Sequence, residues 1–277
     1  MLATVQDCGR PGHAHLGVPH SGAADTVSFR LANRLVGNDE DAACVEMTLG
    51  NSSFRFHRSA LVALTGAPAP ARLDGMAVAT DRVLLIGPGE VLHVGTPKTG
   101  LRVYMSVGGG LRTPQTLGSA STDTLSGLGP APLQAGRFLD VGHRRRPVPP
   151  WPDCVLTPVP HGSQVDIRYH PGPRDDWFSE LSRRQFDCAT WTLTAECNRV
   201  GARLSGPTIS TDRESSLPSE GMVVGSIEIP PSGQPIVFLA DHPTTGGYPV
   251  IGVVVEPDVA VLAQTRPGTT VRFMRSS

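Results

Sequence analysis

Glycine and proline punctuate this chain at short intervals, and they limit what it can fold into more than any other feature. The 277 residues include 31 glycines and 26 prolines, roughly a fifth of the chain, against about 12% in an average soluble protein. Both residues weaken helix interiors, whereas short strands joined by many turns accommodate them. Hydrophobic residues make up 39% of the chain, enough for one large core or two modest ones. We therefore expect a mainly β, globular protein.

Apolar runs bounded by turn residues predict many short strands from residue 44 onward. Many short strands at this spacing are typical of barrels and sandwiches, in which closure hides the sheet edges. The predicted strands are Cys44–Thr48, Ser53–His57, Ala60–Leu64, Val83–Gly87, Val91–Val94, Leu101–Val107, Val165–Tyr169, Thr190–Thr194, Val223–Ile229, Ile236–Ala240, Ile251–Glu256 and Thr270–Met274. Three helices are also predicted. Apolar residues spaced four apart indicate a helix at Asp25–Val36. Acidic residues in the first turn and arginines in the last indicate a helix at Asp175–Phe186, and a proline at the first position indicates a helix at Pro257–Gln264.

A stretch rich in arginine and proline divides the chain. Residues 143–158 carry three consecutive arginines and several prolines, which cannot easily extend a sheet. We predict an N-terminal domain over 1–145, a linker over 146–158 and a C-terminal domain over 159–277. The run Arg144–Arg146 is more typical of a solvated linker than of a site for polyanions.

The basic residues exclude several kinds of chemistry. The only lysine is Lys98, which lies between Pro97 and Thr99, and every other basic side chain is an arginine. A phosphate-binding Walker A loop requires Gly-Lys-Ser/Thr, so none is present. A biotin-carrying lysine is not expected beside a proline. If ATP or biotin takes part, another chain supplies it. The formal net charge of −1 gives no electrostatic argument for binding nucleic acid or a membrane.

The cysteines and the first residues indicate the cytoplasm. Five cysteines, Cys8, Cys44, Cys154, Cys188 and Cys197, are an odd number without C-x-x-C spacing. The start of the sequence has neither a basic nor an apolar export segment, so we expect free thiols in a cytoplasmic protein. The pair His13-x-His15 resembles half a metal site, but no carboxylate follows at the expected spacing, and we predict no bound metal.

Two segments carry many polar side chains that lie among glycines. The first, Thr4–Asn38, offers Gln6, Arg10, Ser21 and Asp25 before a predicted helix. An arginine can hold a carboxylate through two hydrogen bonds, and backbone amides near a helix start favour anions. The alternative is structural, with Ser21 or Asp25 capping the helix. The residues alone leave both interpretations open.

The second segment, Gly233–Gly268, carries a polar loop between two apolar strands. The loop presents a carboxylate, an imidazole, two hydroxyls and a phenol beside paired glycines, at Asp241, His242, Thr244, Thr245 and Tyr248. An imidazole titrates near neutral pH and suits proton transfer. The alternative is a β-turn with a capping aspartate and a packed tyrosine.

Motifs along almost the whole chain match one family in order. They are TVQDCGRPG, GVPHSGAAD, ANRLVGN, ALTGA, SVGGG, LGSASTD, RVGARLSG and EGMVVGSIEIPPSGQPIVFLADHPTTGGYP. The chain resembles the carboxyltransferase-type family that includes allophanate hydrolase subunit 2, the C subunit of bacterial 5-oxoprolinase and the carboxyltransferase part of urea carboxylase. The same family includes the antagonist of a sporulation-kinase inhibitor. The resemblance implies two cyclophilin-like β-barrel domains with a few short helices.

The resemblance also implies a subunit of a hetero-oligomeric, ATP-dependent amidohydrolase or carboxyltransferase acting on a small amide, lactam or urea-type substrate. The implied partner is allophanate hydrolase subunit 1 or a protein like the B subunit of 5-oxoprolinase, and ATP with Mg²⁺ or carboxybiotin is expected on partner chains. We expect the chain to be inactive alone. The alternative is a non-catalytic regulatory module that binds a subunit 1 or kinase-inhibitor-type partner. A carbohydrate-binding barrel is disfavoured, because the chain has only 3 tryptophans and 3 tyrosines.

We predict catalytic roles for Asp241, His242 and Tyr248. We predict substrate-binding roles for the other polar residues of the two segments: Gln6, Arg10, Ser21, Asp25, Thr244 and Thr245. These roles follow from side-chain chemistry, not from residues of known function in the family.

The chain departs from the family pattern at three places. The residues that usually form an opening strand before TVQD are nearly absent, so either Met1 is a late start or the first barrel lacks an edge strand. Cys197-Asn198 replaces a usual Ser-Asp, with Val200 in place of a methionine. Glu228 stands where a glutamine is common.

Overall fold

The computed structural model describes residues 2–143, 162–211 and 217–276. The chain divides into two compact units. The first comprises the described parts of Met1–Arg10, Ser21–Asp123 and Gly127–Val159; the second comprises those of Pro11–His20, Thr124–Ser126 and Pro160–Ser277. The predicted linker 146–158 and the run Arg144–Arg146 lie outside the described residues, so the predicted domain limits stay a prediction.

The first unit is built on two sheets. Its strands are β1 (Leu2–Gln6), β2 (Cys44–Thr48), β3 (Ser52–Arg55), β4 (Ala60–Gly66), β5 (Ala71–Leu73), β6 (Met76–Val78), β7 (Val83–Ile86), β8 (Val91–Val94), β9 (Arg102–Val107), β10 (Leu111–Arg112) and β11 (Asp140–Val141). One sheet has the order β1-β2-β9-β4-β7 and the other β3-β8-β5-β6, with β10 and β11 pairing separately. Helix α1 (Thr26–Leu35) packs on β4 and β9.

An opening strand is present in the first unit. Leu2–Gln6 pairs antiparallel with β2 over its full length, from Leu2 opposite Thr48 to Gln6 opposite Cys44. Of the two alternatives given for the start of the chain, a first barrel without an edge strand is wrong, because β1 forms that edge. Five residues suffice because β2 supplies a complete ladder of hydrogen-bonding partners.

The second unit is a closed seven-stranded barrel. It uses β12 (Gln164–Pro171), β13 (Trp191–Leu193), β14 (Gly201–Ser205), β16 (Ser226–Glu228), β17 (Ile236–Phe238), β19 (Val250–Val254) and β20 (Thr270–Arg275), in the order β12-β19-β16-β17-β14-β13-β20. A small ladder joins β15 (Glu220–Gly221) to β18 (Thr245–Gly246). Helices α2 (Glu180–Cys188) and α3 (Glu256–Gln264) complete the unit. Its core includes stacked rings of Phe186 and Phe273, with centroids 4.7 Å apart.

The mainly β class is confirmed, with 33% of residues in strands and 13% in helices. The predicted helix Asp175–Phe186 is interrupted, because Ser179 caps a new helix after the 3₁₀ turn Asp175–Trp177. The predicted strand Val223–Ile229 begins only at Ser226, because Gly225 adopts a φ of 85° that no strand uses. Among the predicted free thiols, Cys8, Cys44 and Cys188 are unbridged, whereas Cys154 lies outside the described residues.

The helices are short. The longest, α1, has 10 residues, and no helix within the described ranges combines the length and hydrophobicity needed to cross a bilayer.

Candidate functional site

In the first unit, Asp7 organises the loop Ser119–Thr122. Its carboxylate accepts hydrogen bonds from Ser119 Oγ at 2.6 Å, the Ala120 amide at 2.6 Å and Ser121 Oγ at 2.5 Å. The Gly9 amide donates a fourth bond at 2.8 Å. This network fixes the chain just after β1.

Gln6, the last residue of β1, and Arg10 both contact the loop Ser119–Thr122 and are buried. Gln6 Nε2 donates to the Thr122 carbonyl at 2.9 Å, and the Arg10 guanidinium donates to the Ser121 carbonyl. Arg10 Nη1 lies 4.0 Å from Asp123 Oδ2. Gln6 Oε1 and Arg10 Nη1 have no hydrogen-bond partner among the described residues. An acceptor and a donor are thus left over in one cluster, and their predicted role in binding substrate stays a prediction.

Ser21 and Asp25 lie at the entrance to α1. Ser21 has a φ of 55°, and its hydroxyl donates to the Thr122 carbonyl at 3.2 Å. Asp25 is the N-cap, and its two carboxylate oxygens accept from the amide and the hydroxyl of Ser28 at 3.0 and 2.5 Å. The structure thus supports the capping alternative for Asp25; substrate binding by either residue stays a prediction.

Loss of this cap gives a first prediction. Asp25→Ala is expected to lower the free energy of unfolding by about 0.5–2 kcal/mol, because the Ser28 amide loses its acceptor at the start of α1. Chemical denaturation of the full chain measures the change. Thr26→Ala, an exposed position of the same helical turn, is the control and should shift stability by less than about 0.5 kcal/mol. Equal effects of the two variants would contradict a capping role.

A buried acidic network beside α1 was not anticipated from the sequence. Glu46 Oε2 accepts from the Ala24 amide at 3.0 Å and from the Tyr104 hydroxyl at 2.7 Å, while Arg102 Nε lies 3.5 Å from Glu46 Oε1. Burial, then the nearby carboxylates, holds the pKa of Tyr104 well above its usual range. The sequence signal that could have found it is a charged residue inside an apolar strand.

In the second unit, Asp241 is held by an arginine and a threonine. Arg199 donates from Nε to Oδ2 and from Nη2 to Oδ1, both at 2.9 Å. The amide and hydroxyl of Thr124 donate to Oδ2 at 2.9 and 2.7 Å. Both charged side chains are buried, with 1% of Arg199 and none of the Asp241 side chain exposed.

These contacts keep Asp241 ionised. Burial acts to raise its pKa, but the charge of Arg199 and the hydrogen bonds from Arg199 and Thr124 outweigh it, so the pKa lies below its usual range. A carboxylate held by four donors is a weak base, which favours a role in positioning the loop. The predicted role of Asp241 in proton handling stays a prediction.

His242 follows Asp241 and is also buried. Its ring stacks on Phe238, with centroids 6.0 Å apart. Nδ1 lies 2.7 Å from the Pro243 carbonyl oxygen. Because a carbonyl can only accept, Nδ1 carries the hydrogen, and the neutral ring has its lone pair on Nε2. This contact therefore favours the tautomer with an unprotonated Nε2, which is the form that a general base needs.

The rest of the loop 241–248 rises toward the surface. The Thr244 carbonyl accepts from the Met222 amide at 2.9 Å. Thr245 is exposed and pairs opposite Gly221 through β18 and β15. Tyr248 is 44% exposed. The second unit thus gathers the predicted residues Asp241, His242, Thr244, Thr245 and Tyr248 in one loop, whereas Gln6, Arg10 and Ser21 gather in the first unit.

Glu228 is a further acidic residue beside this loop. It ends β16, is 5% exposed, and accepts from the Tyr248 amide at 3.2 Å through Oε1. Burial raises its pKa. The sequence marked this position only as a departure from a family glutamine.

No group of three or more His, Cys, Asp or Glu in the described parts of the chain is arranged to hold a metal ion. Lys98, the only lysine, is exposed in a bend after β8.

A closed β-barrel carrying this polar loop defines the class of protein. Residues 16–275 match the family described as carboxyltransferase domain, subdomain A and B, and the chain belongs to that family. This confirms the resemblance drawn from the motifs.

Two bacterial proteins are similar over nearly their whole length. The C subunit of 5-oxoprolinase from Escherichia coli (strain K12) is 38% identical over 284 residues, covering 100% of this chain and 89% of that protein. The C subunit of 5-oxoprolinase from Haemophilus influenzae is 34% identical, covering 98% and 87%. Among solved structures, the K. lactis urea amidolyase matches with a TM-score of 0.93 at 30% identity, covering 100% of this chain but 18% of that chain.

Proposed function

We propose that this chain is one subunit of a hetero-oligomeric, ATP-dependent enzyme of the cytoplasm that opens a small cyclic amide, as the C subunit of a 5-oxoprolinase. The observation that carries this proposal is the 38% identity that spans the whole chain and 89% of the E. coli protein. A match over nearly the full length of a separate subunit supports a separate subunit here.

The proposed partner is a protein like the B subunit of 5-oxoprolinase, with ATP and Mg²⁺ bound by partner chains. Support comes from the lone lysine, which is exposed beside Pro97 and lies in no phosphate-binding loop. The chain would then contribute substrate-binding and proton-transfer groups, and we expect no turnover from it alone.

Within the second unit, we assign proton transfer to His242 and loop positioning to Asp241. His242 takes a proton at Nε2 when water adds to the amide carbonyl, while Nδ1–H stays bound to the Pro243 carbonyl. Thr244, Thr245 and Tyr248 orient the substrate. Polar groups that hydrogen-bond a small amide also make the site selective, because an analogue without the matching group leaves them unpaired.

The test is reconstitution with the proposed partner subunits. We expect ATP hydrolysis that depends on added 5-oxoproline and disappears when this chain is omitted. Size-exclusion chromatography of the same mixture separates assembly from turnover. A stable complex that shows no substrate-dependent ATP hydrolysis would contradict the proposal.

A second candidate is transfer of a carboxyl group to a urea-type nitrogen, with carboxybiotin delivered by a partner chain. It is favoured by the carboxyltransferase family match and by the TM-score of 0.93 with the K. lactis urea amidolyase. Turnover with urea but not with 5-oxoproline would select it. A complex silent with 5-oxoproline, urea and allophanate would instead favour the non-catalytic regulatory module.

A further inference from the structure

The Glu228 side chain contacts the backbone of the loop 241–248. Its Oε1 accepts from the Tyr248 amide at 3.2 Å. At Gly246, an added Cβ would lie 2.6 Å from the same oxygen, and 3.0 Å from Met222 Cε. An added Cβ at 2.6 Å would force the carboxyl end of Glu228 or the loop to shift, so glycine allows the two to lie in close contact.

Among the described residues, no positive charge compensates the Glu228 carboxyl group. The strands on either side of β16 place Ile236 and Val250 opposite Glu228, and neither is charged. Within the described residues no arginine, lysine or histidine forms an ion pair with it. Burial without a counterion disfavours the carboxylate.

The charged groups of the neighbouring elements are engaged elsewhere. Glu220 lies opposite Gly246 in the β15–β18 ladder, and Arg174 Nε donates to both of its oxygens at 3.0 Å. In the loop, Asp241 pairs with Arg199, and His242 Nδ1 bonds the Pro243 carbonyl. Two influences act on Glu228: burial, which raises its pKa, and more weakly the Tyr248 amide, which lowers it.

We propose that Glu228 is a positioning residue whose neutral carboxyl group supports the Gly246–Tyr248 backbone, and that ionisation of this group makes substrate binding by this chain dependent on pH. In the neutral form, Oε1 accepts from the Tyr248 amide. In the ionised form, the buried carboxylate draws in water or further amide donors and displaces the loop that carries Thr244, Thr245 and Tyr248. A glutamine at this position keeps an amide oxygen as acceptor and has no proton to lose. The effect on substrate binding rests on the proposed function, whereas the titration of Glu228 does not.

The first test needs no partner and no substrate. Because the folded state holds a proton that the unfolded state has lost, the stability due to Glu228 is full at low pH and falls as pH rises through the raised pKa. Glu228→Gln removes that loss. We expect its Tm to equal the wild-type Tm near pH 4 and to exceed it by about 2–4 °C for each pH unit by which the pKa is raised.

Glu220→Gln is the matched control, because Glu220 lies opposite Gly246 in the β15–β18 ladder. Arg174 lowers the pKa of Glu220, so this variant should gain nothing as pH rises. A Tm difference between Glu228→Gln and wild type that does not grow with pH would overturn the proposal.

The second test uses the reconstituted complex with 5-oxoproline. We expect the wild-type KM to rise with pH, by up to about tenfold per pH unit, and the Glu228→Gln KM to stay flat over the same range. Superimposable KM profiles in an active complex would overturn the positioning role while the proposed function stands. If the complex is inactive but the Tm difference grows with pH, the proposed function fails and the titration of Glu228 stands.

Discussion

Arg199→Ala or Asp241→Ala is expected to lower the free energy of unfolding by about 3–5 kcal/mol, because each leaves one buried charge without its partner. Neither side chain has appreciable contact with water, and two hydrogen bonds of 2.9 Å join them. Chemical denaturation of the full chain, followed by tryptophan fluorescence, measures the loss.

The double variant Arg199→Met/Asp241→Leu separates the cost of an orphaned charge from the net value of the pair. Replacing both partners of a buried ion pair with apolar residues is often neutral or stabilising. Here the amide and hydroxyl of Thr124, an exposed residue, also lose their acceptor, which costs about 0.5–1.5 kcal/mol for each lost hydrogen bond. We therefore expect the double variant to recover part, but not all, of the single-variant loss.

The exposed pair Arg272–Asp166 is the matched control. Its closest atoms are nearly as close, at 3.0 Å, but 47% and 39% of the two side chains are exposed. Asp166→Ala should cost only about 0.2–1 kcal/mol, since water screens the charges. An Asp241→Ala chain as stable as Asp166→Ala would contradict the proposed role of the buried pair.

The same pair predicts acid sensitivity. Because the pKa of Asp241 is lowered in the folded state, its contribution to stability is present above the ordinary aspartate pKa and is lost as pH falls through the lowered value. Asp241→Asn should therefore lose stability at neutral pH and converge on the wild type in acid.

The elements that the sequence predicts well are those fixed by local pattern. Cys44–Thr48 and Val91–Val94 are strands with the predicted limits, because each is an apolar run bounded by turn residues. The two-residue strands β15 and β18 were not predicted, since such strands exist only through their pairing. Likewise, no sequence pattern places Pro11–His20 and Thr124–Ser126 with the second unit.

Some features of the candidate site can also be predicted from local sequence, and others cannot. Its residue types and the loop 241–248 follow from one continuous stretch of sequence. The partners of Asp241 do not, because Arg199 is 42 residues away and Thr124 is 117 residues away. The sequence of the loop predicts that Asp241 transfers protons, but its contacts with Arg199 and Thr124 are those of a residue that positions the loop. His242 differs, because its tautomer is set by the adjacent residue.

His242→Asn is expected to lower kcat of the reconstituted complex by about 10²–10⁴-fold, the usual contribution of a positioned general base. Asparagine can still donate a hydrogen bond to the Pro243 carbonyl, as Nδ1 does now, but it offers no basic nitrogen. KM should change little, because the backbone of Thr244 and Thr245 keeps its contacts with β15 and the adjoining Met222. Steady-state ATP hydrolysis with 5-oxoproline gives both constants.

His170→Asn, on an exposed face of β12 in the same barrel, controls for loss of an imidazole and should leave kcat unchanged. Because His242 also packs on Phe238, assembly and Tm are measured for each variant. A His242→Asn complex that assembles, melts like the wild type and retains kcat would remove His242 from proton transfer. The loss of kcat with an intact complex would distinguish a catalytic role from a regulatory one, because a module that only binds its partner has no need of a base at this position.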